Sequence, residues 1–411
     1  MLFHIDCRPW AWCSLSSDPT TKVDILQIER ENQGDFAMAP IFKVLRRRAR
    51  YPGHSPPKQN RMPFSHQRII VSGDNAPPAT YHGERRVLLV SILKIALMRP
   101  TPPISTPPFT LHTCRICPRQ CGVDRFAGAT GFCRTGAGYA IAAITLHRGE
   151  EPVISGATGI CNVFFGHCNL RCLFCQNHQI SRNEHEIRGA DWSLARLAEA
   201  IIAILATGVD RLGFVSPSHM VPQMVAIIEE IRQRGFNPVI VYNSNGYDRV
   251  ETLRALEDWV DVYLPDYKYS DPVLAAQLSG ANDYPEVAAA ALGEMYRQKG
   301  NMLHLNDEGI AVRGLIVRHL VLPGAVANSL QALHFLAGAL SPRLTLSLMS
   351  QYQPTASVAN LPPLNRQLLP EEYARVVAEM ERLGFTNGWI QEFASADYYN
   401  PDFNQETPFA E

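Results

Sequence analysis

Apolar positions change their pattern along the chain. From Cys161 onward, short apolar runs alternate with longer stretches whose apolar residues recur every three or four positions. The runs read as strands at 161–166, 211–216, 238–243, 261–265, 314–322 and 344–350. The stretches between them read as helices at 193–208, 219–235, 248–258, 284–300 and 328–340, with a last helix at 371–384 and a polar tail after it. Asp248 and Asn328 suit helix N-caps, while Gly208, Gly235 and Gly300 suit helix ends. Strands alternating with helices imply parallel βαβ units. The expected fold is α/β: a partial (β/α)6 TIM-like barrel with an upstream cysteine-rich metal-binding segment. In such a barrel the chemistry gathers at the C-terminal ends of the strands.

Residues 1–108 show no sustained period. They carry proline-rich stretches, 55–57 and 100–108, and a basic run from Lys43 to Arg50 that reads as a solvated tail. A poorly structured extension is expected there, or a translation start set too early, with Met98 as the true one. The remaining boundaries fall at 109–155 for the cysteine-rich segment, 156–395 for the barrel and 396–411 for the tail.

Composition narrows the function. The chain has 411 residues, 46% of them hydrophobic, enough to bury a large core. The formal net charge of -1 gives no argument for a nucleic-acid or membrane partner. The longest apolar run, Val87 to Met98, contains Lys94 and falls short of the ~20 residues a spanning helix needs. The N-terminus lacks the layout of a secretory signal, so a reducing, cytoplasmic setting is expected. No phosphate-binding glycine loop is present.

Ten cysteines are present, and eight of them cluster. Cys168, Cys172 and Cys175 stand in a CxxxCxxC pattern just past the first expected barrel strand. Three thiolates in one loop can hold three corners of a four-iron cluster and leave one iron open. A structural zinc ion prefers four ligands, which this pattern does not supply. Cys161, within a strand, reads as a small buried apolar residue. Upstream, Cys114, Cys117, Cys121 and Cys133 offer four thiolates within about twenty residues. That set fits a zinc ion or an accessory cluster, and spacing does not choose between them. Gly122, Gly128 and Gly131 would let the loop wrap a metal tightly.

The CxxxCxxC loop, with the aromatic Phe174 before its last cysteine, resembles the radical S-adenosylmethionine superfamily. The segment from Cys114 to about Trp389 is similar to one branch, homologues of the pyruvate formate-lyase activating enzyme with cysteines upstream of the radical motif. The phrases CRICPRQCGVDR, HRGEEPVISG, CQNHQIS, FVSPSH, VYNSNGY, VYLPDYKY, RHLVLPG and LMSQYQP carry the likeness. The resemblance implies a [4Fe-4S] cluster and S-adenosyl-L-methionine as cofactors, with a 5'-deoxyadenosyl radical that abstracts hydrogen from a substrate. It also implies a reductant such as flavodoxin or ferredoxin and, as a possible protein substrate, a glycyl radical enzyme. In the true activating enzymes any cysteine-rich insert follows the motif, so the activase label is inherited. A small-molecule substrate and a non-catalytic iron–sulfur or zinc-binding protein are the competing readings.

Polar residues at strand ends are the candidates for binding the cofactor. They are Ser216, Ser218 and His219, which follow the second strand, where relatives bind the methionine amino group. Asn243, Ser244 and Asn245 follow the third strand, and Asp266, Tyr267 and Lys268 the fourth. Arg318 and His319 lie in the fifth. Adjacent strand residues face opposite ways, so one of that last pair is expected to face the lumen.

Overall fold

A computed structural model describes residues 42–44, 109–184, 186–187, 192–393, 401–405 and 408–409. The N-terminal extension otherwise lies outside them, as do parts of the tail.

The chain folds as a mixed α/β protein around one open, mostly parallel sheet. The strands are β1 (Phe42–Val44), β2 (Ile141–His147), β3 (Ile160–Phe165), β4 (Arg211–Val215), β5 (Val239–Ser244), β6 (Val262–Pro265), β7 (His304–Leu305), β8 (Ala311–Leu320), β9 (Thr345–Met349) and β10 (Asn387–Gln391). Their order is β1-β10-β9-β8-β6-β5-β4-β3-β2, with β7 beside β8. Pairing is parallel from β3 through to β10, and the outermost strands β1 and β2 run antiparallel. The six expected strands are β3, β4, β5, β6, β8 and β9. The stretch after the last helix was expected to be a polar tail, but it forms β10, a further parallel strand on β9. Only Trp389 and Ile390 are strongly apolar there, too short a pattern to signal a strand.

The helices are α1 (Pro152–Ser155), α2 (His178–Ser181), α3 (Leu194–Leu205), α4 (Val221–Gln233), α5 (Val250–Ala255), α6 (Pro272–Ser279), α7 (Tyr284–Lys299), α8 (Val326–Phe335) and α9 (Pro370–Arg382). Gly208, Gly235 and Gly300 lie at positive φ past the helices they stop, as expected. Asp248 does not cap α5. It accepts from Tyr242 Oη at 2.8 Å and Ser244 Oγ at 2.7 Å instead. Asn328 lies inside α8, where its side chain holds the backbone of Lys268, Ser270 and Asp271. Asp248 thus serves side chains of β5 and Asn328 a neighbouring loop, rather than a helix end of their own.

The two faces of the sheet are filled differently. One face carries Cys161, Val163, Leu212, Phe214, Ile240, Tyr242, Leu315, Val317, Leu346 and Leu348, packed into the main core. Cys161 is fully buried there, as expected of a small apolar residue. The other face carries a smaller cluster with Ile154 of α1, Ile160 of β3, Val241, Val262, Leu264, Ile316 and Trp389 of β10. Among the described residues no helix is long and apolar enough to cross a membrane.

Candidate metal and cofactor site

The CxxxCxxC loop leaves the C-terminal end of β3 and closes on α2. Its backbone is tied on several sides. Leu173 N donates to Leu278 O at 2.8 Å, and Thr355 Oγ1 donates to Leu173 O at 2.5 Å. Cys168 is clamped by Asn183, whose Oδ1 accepts from Cys168 N at 2.8 Å and whose Nδ2 donates to Cys168 O at 2.9 Å.

Each sulfur has a donor aimed at it. Asn245 Nδ2 reaches Cys168 Sγ at 3.3 Å, Ser279 Oγ reaches Cys172 Sγ at 2.9 Å, and Ser181 Oγ reaches Cys175 Sγ at 3.2 Å. Donors of this kind fit sulfurs that carry negative charge, as cluster ligands do. Burial pushes the Cys168 thiol up to about 12 and the Cys172 thiol up to about 11, and Lys268 opposes the second shift. Without a bound cation the protein alone favours thiols. Among the described residues no three His, Cys, Asp or Glu side chains converge closely enough to hold a single metal ion. Ligands of a multi-iron cluster sit on different irons, so they need no such convergence.

Beside this loop lies a charged network that joins non-neighbouring strands. Arg318 of β8 donates to Asp266 at 3.1 Å, to Glu150 at 3.2 Å and to Asn243 Oδ1 at 2.9 Å. Lys268 Nζ pairs with Asp266 at 2.6 Å. Asn162 Nδ2 donates to Glu150 Oε1 at 3.0 Å. Burial works against the Asp266 charge, but Lys268 and Arg318 outweigh it and hold the carboxyl below its ordinary range. Burial likewise opposes the Lys268 charge, and Asp266, then Cys172, outweighs it. Asp266 and Lys268 therefore pair inside the site, not on the surface.

The other candidates separate by face. Phe174 is buried, its ring 6.4 Å from Tyr269 and 6.1 Å from Tyr352 between centroids. Ser216 takes a left-handed conformation at the end of β4, φ 57°. Ser218 is buried, with its hydroxyl beside Tyr242 and Asp248. Ser244, next to Asn243, points to the opposite face and bonds Asp248. His219 is fully buried and its Nε2 meets Gly166 O at 3.0 Å, while its own carbonyl accepts from Arg125 at 3.0 Å. Burial pushes its imidazole down to about 3, so it is neutral and serves as an anchor. Of the last pair, Arg318 joins the charged network and His319 points into the helix-covered core. Glu150 was not singled out from sequence, although it lies in the phrase HRGEEPVISG.

The upstream cysteines sit in a segment of turns. Cys114 N donates to Val123 O at 2.9 Å and Gly122 N to Cys114 O at 2.8 Å, closing a loop. Cys114, Cys117 and Cys133 are buried and Cys121 is exposed. Burial pushes the Cys117 thiol up to about 12, and Cys133, Cys114 and Cys121 add to the shift, so the four sulfurs feel one another. A Cβ on Gly131 would lie 2.6 Å from Cys121 Sγ, so only glycine fits there. The segment docks on the sheet end: Arg119 donates to Asn169 O and Gly280 O, and Thr252 Oγ1 to Ile116 O.

No family model matches the chain. An uncharacterized protein of Methanocaldococcus jannaschii is 27% identical over 272 residues, which cover 66% of this chain and 74% of that protein.

Proposed function

We propose that this protein is a radical S-adenosylmethionine enzyme. The observation that carries the reading is the Cys168–Cys172–Cys175 loop at a parallel strand end, with a hydrogen-bond donor on every sulfur. The sheet is read as a partial barrel. Side chains from β3 and β10, at opposite ends of the parallel run, share one inner cluster, and Arg318 spans from β8 to β5.

When bound, a [4Fe–4S] cluster and S-adenosylmethionine would supply one-electron cleavage to a 5′-deoxyadenosyl radical and hydrogen abstraction. The three cysteines would hold three irons and leave one corner open. Asn245, Ser279 and Ser181 orient the sulfurs. Asp266, Lys268, Asn243 and Arg318 offer paired charges and amide groups to the polar parts of the cofactor. Phe174, held by Tyr269 and Tyr352, supplies an apolar wall that keeps water out.

Activation of a glycyl radical enzyme is the substrate reading that the resemblance favours. A small-molecule substrate is favoured by a different observation. The tail crosses the motif side of the sheet: Gln179 Nε2 donates to Asp402 at 2.8 Å and Phe403 N donates to Gln179 Oε1 at 2.7 Å. Phe403 and Phe409 then pack on Phe164, 5.3 and 5.5 Å between ring centroids. A covered mouth suits a small substrate better than a protein loop.

The test is electron paramagnetic resonance of the anaerobically reconstituted, reduced protein. A four-iron signal that changes when S-adenosylmethionine is added, and is lost in Cys168→Ala/Cys172→Ala/Cys175→Ala, is the expected result. A signal indifferent to the cofactor would leave a non-catalytic metal-binding protein as the better account.

A further inference from the structure

Glu151 stands beside the charged network of the inner side without joining its hydrogen bonds. It is 3% exposed, and its Oε2 has no hydrogen-bond partner. Ser347 of β9 makes only a loose contact with the same carboxyl, and its own Oγ is buried without a well-formed bond. Buried polar groups are ordinarily satisfied, so this pair is left short of a donor. The residue is held rigidly. Its carbonyl accepts from Ile154 N at 2.7 Å and Ser155 N at 2.9 Å at the start of α1, and Ile154 packs into the inner cluster. Its carboxyl acts on His147 and Arg318 and feels Glu150, all on the inner side.

Positive charge is short there. Three carboxylates, Asp266, Glu151 and Glu150, act on the single guanidinium of Arg318. Lys268 is taken up by Asp266 and Cys172. His147 adds no charge near neutral pH, because burial and Arg318 push its imidazole down to about 4. Burial pushes the Glu151 carboxyl up; Arg318 opposes the shift and Glu150 adds to it. The layer is nevertheless open to a ligand. Glu150, Asp266 and Arg318 keep 10, 15 and 17% of their side-chain surface exposed. Two residues earlier on the same strands, Leu264 and Ile316 keep none. The rim is aromatic: the His147 ring lies 4.3 Å from that of Phe409, which packs with Phe403 on Phe164. Aromatic faces favour a cation over an anion.

We propose that the inner side of the sheet carries a binding site for a small molecule with a primary ammonium group, which Glu151 and Ser347 hold by its N–H groups beside the aromatic rim. Three N–H donors on one charged centre can meet both unsatisfied groups at once. A quaternary ammonium brings the charge without a donor, and an alcohol brings a donor without the charge, so neither fills the site. That this amine is the substrate rests on the radical-enzyme reading; that it binds does not.

The experiment is a calorimetric titration of the full chain, reconstituted without oxygen, with n-butylammonium at low salt. Butyltrimethylammonium, butanol and potassium ion are the comparison ligands. Butylammonium is expected to bind saturably, about tenfold or more tighter than each of the three. Glu151→Gln keeps the shape of the side chain and removes its charge, and should weaken butylammonium about tenfold. Ser347→Ala should weaken it about threefold with little change in stability, and serves where Glu151→Gln does not fold. Saturating S-adenosylmethionine should leave the amine bound. Absence of saturable binding, an equal affinity for potassium, or wild-type affinity in either folded variant would overturn the proposal. So would displacement of butylammonium by S-adenosylmethionine, because the site would then be the cofactor's own. A cluster signal indifferent to S-adenosylmethionine, with butylammonium still bound through Glu151, would instead overturn the radical-enzyme reading alone.

Discussion

Arg318 and His319 are neighbours in one strand, yet they belong to different environments. Arg318 faces the inner side of the sheet, where it holds Glu150, Asp266 and Asn243. His319 faces the helices, where its ring is fixed by Tyr267 O at 2.6 Å and Ser329 Oγ at 2.9 Å. Asn243 and Ser244 split in the same way. Each strand puts one residue toward chemistry and the next toward packing. The inner side keeps charges that cancel only through mutual contact. The outer side keeps buried polar groups held by single hydrogen bonds, the neutral His319 among them. The two sides should therefore fail differently.

The largest effect is expected on the inner side. Arg318→Met leaves Glu150 without its cation and Asp266 with Lys268 alone, in a site nearly closed to water. Removing one member of such a buried group costs about 3–5 kcal/mol. Urea unfolding of the variant measures it. Adding Glu150→Gln should return part of the loss, because the stranded carboxylate is then neutral. A double variant that shows only the sum of the two single losses would mean that the two side chains do not act as a pair.

Much of the packing side was legible in the sequence, and little of the inner side was. The strands and helices announced themselves by period, since each buries a continuous apolar face. The elements that were missed are short, such as α6, nearly polar, such as β10 with its two apolar residues, or, like β2, upstream of the repeating strand–helix pattern that begins at Cys161. The cysteine loop was legible because its three sulfurs are set by local spacing alone. The charged network was not, because it depends on strand register and on a loop entering from β2. Glu150 comes from that loop and meets Arg318, 168 positions later. No local pattern marks such a meeting. The role of Ser244 was misjudged for the same reason: only the pleat decides that it bonds Asp248 rather than facing the site.

On the outer side the comparison predicts acid lability. Burial pushes the His319 imidazole down to about 4 and that of His219 to about 3, against an ordinary value near 6.5. Both are neutral when folded, and both take up a proton when unfolded below about pH 6.5. The unfolded state then binds more protons, so stability is complete above that pH and falls as pH drops toward 4. Each histidine contributes a slope of up to about 1.4 kcal/mol per pH unit. Urea unfolding at pH 7, 6 and 5 gives the slope. His319→Gln should remove about one proton's worth of it, and an unchanged slope would show that His319 does not titrate on unfolding.

The smallest effect separates the two sides most cleanly, because it changes one serine on each. Ser329 Oγ meets His319 Nε2 at 2.9 Å on the outer side. Ser347, beside Arg318 on the inner side, is fully buried, and its hydroxyl has no well-formed hydrogen bond, only a looser contact with the Glu151 carboxyl. Ser329→Ala strands a buried imidazole nitrogen and should cost about 1–2 kcal/mol. Ser347→Ala removes only that looser contact and should cost less, about 0.5 kcal/mol or under. The order of the two losses is the measurement. If Ser347→Ala proves the costlier, its hydroxyl is engaged on the inner side, and that side extends beyond the Glu150–Arg318–Asp266 group.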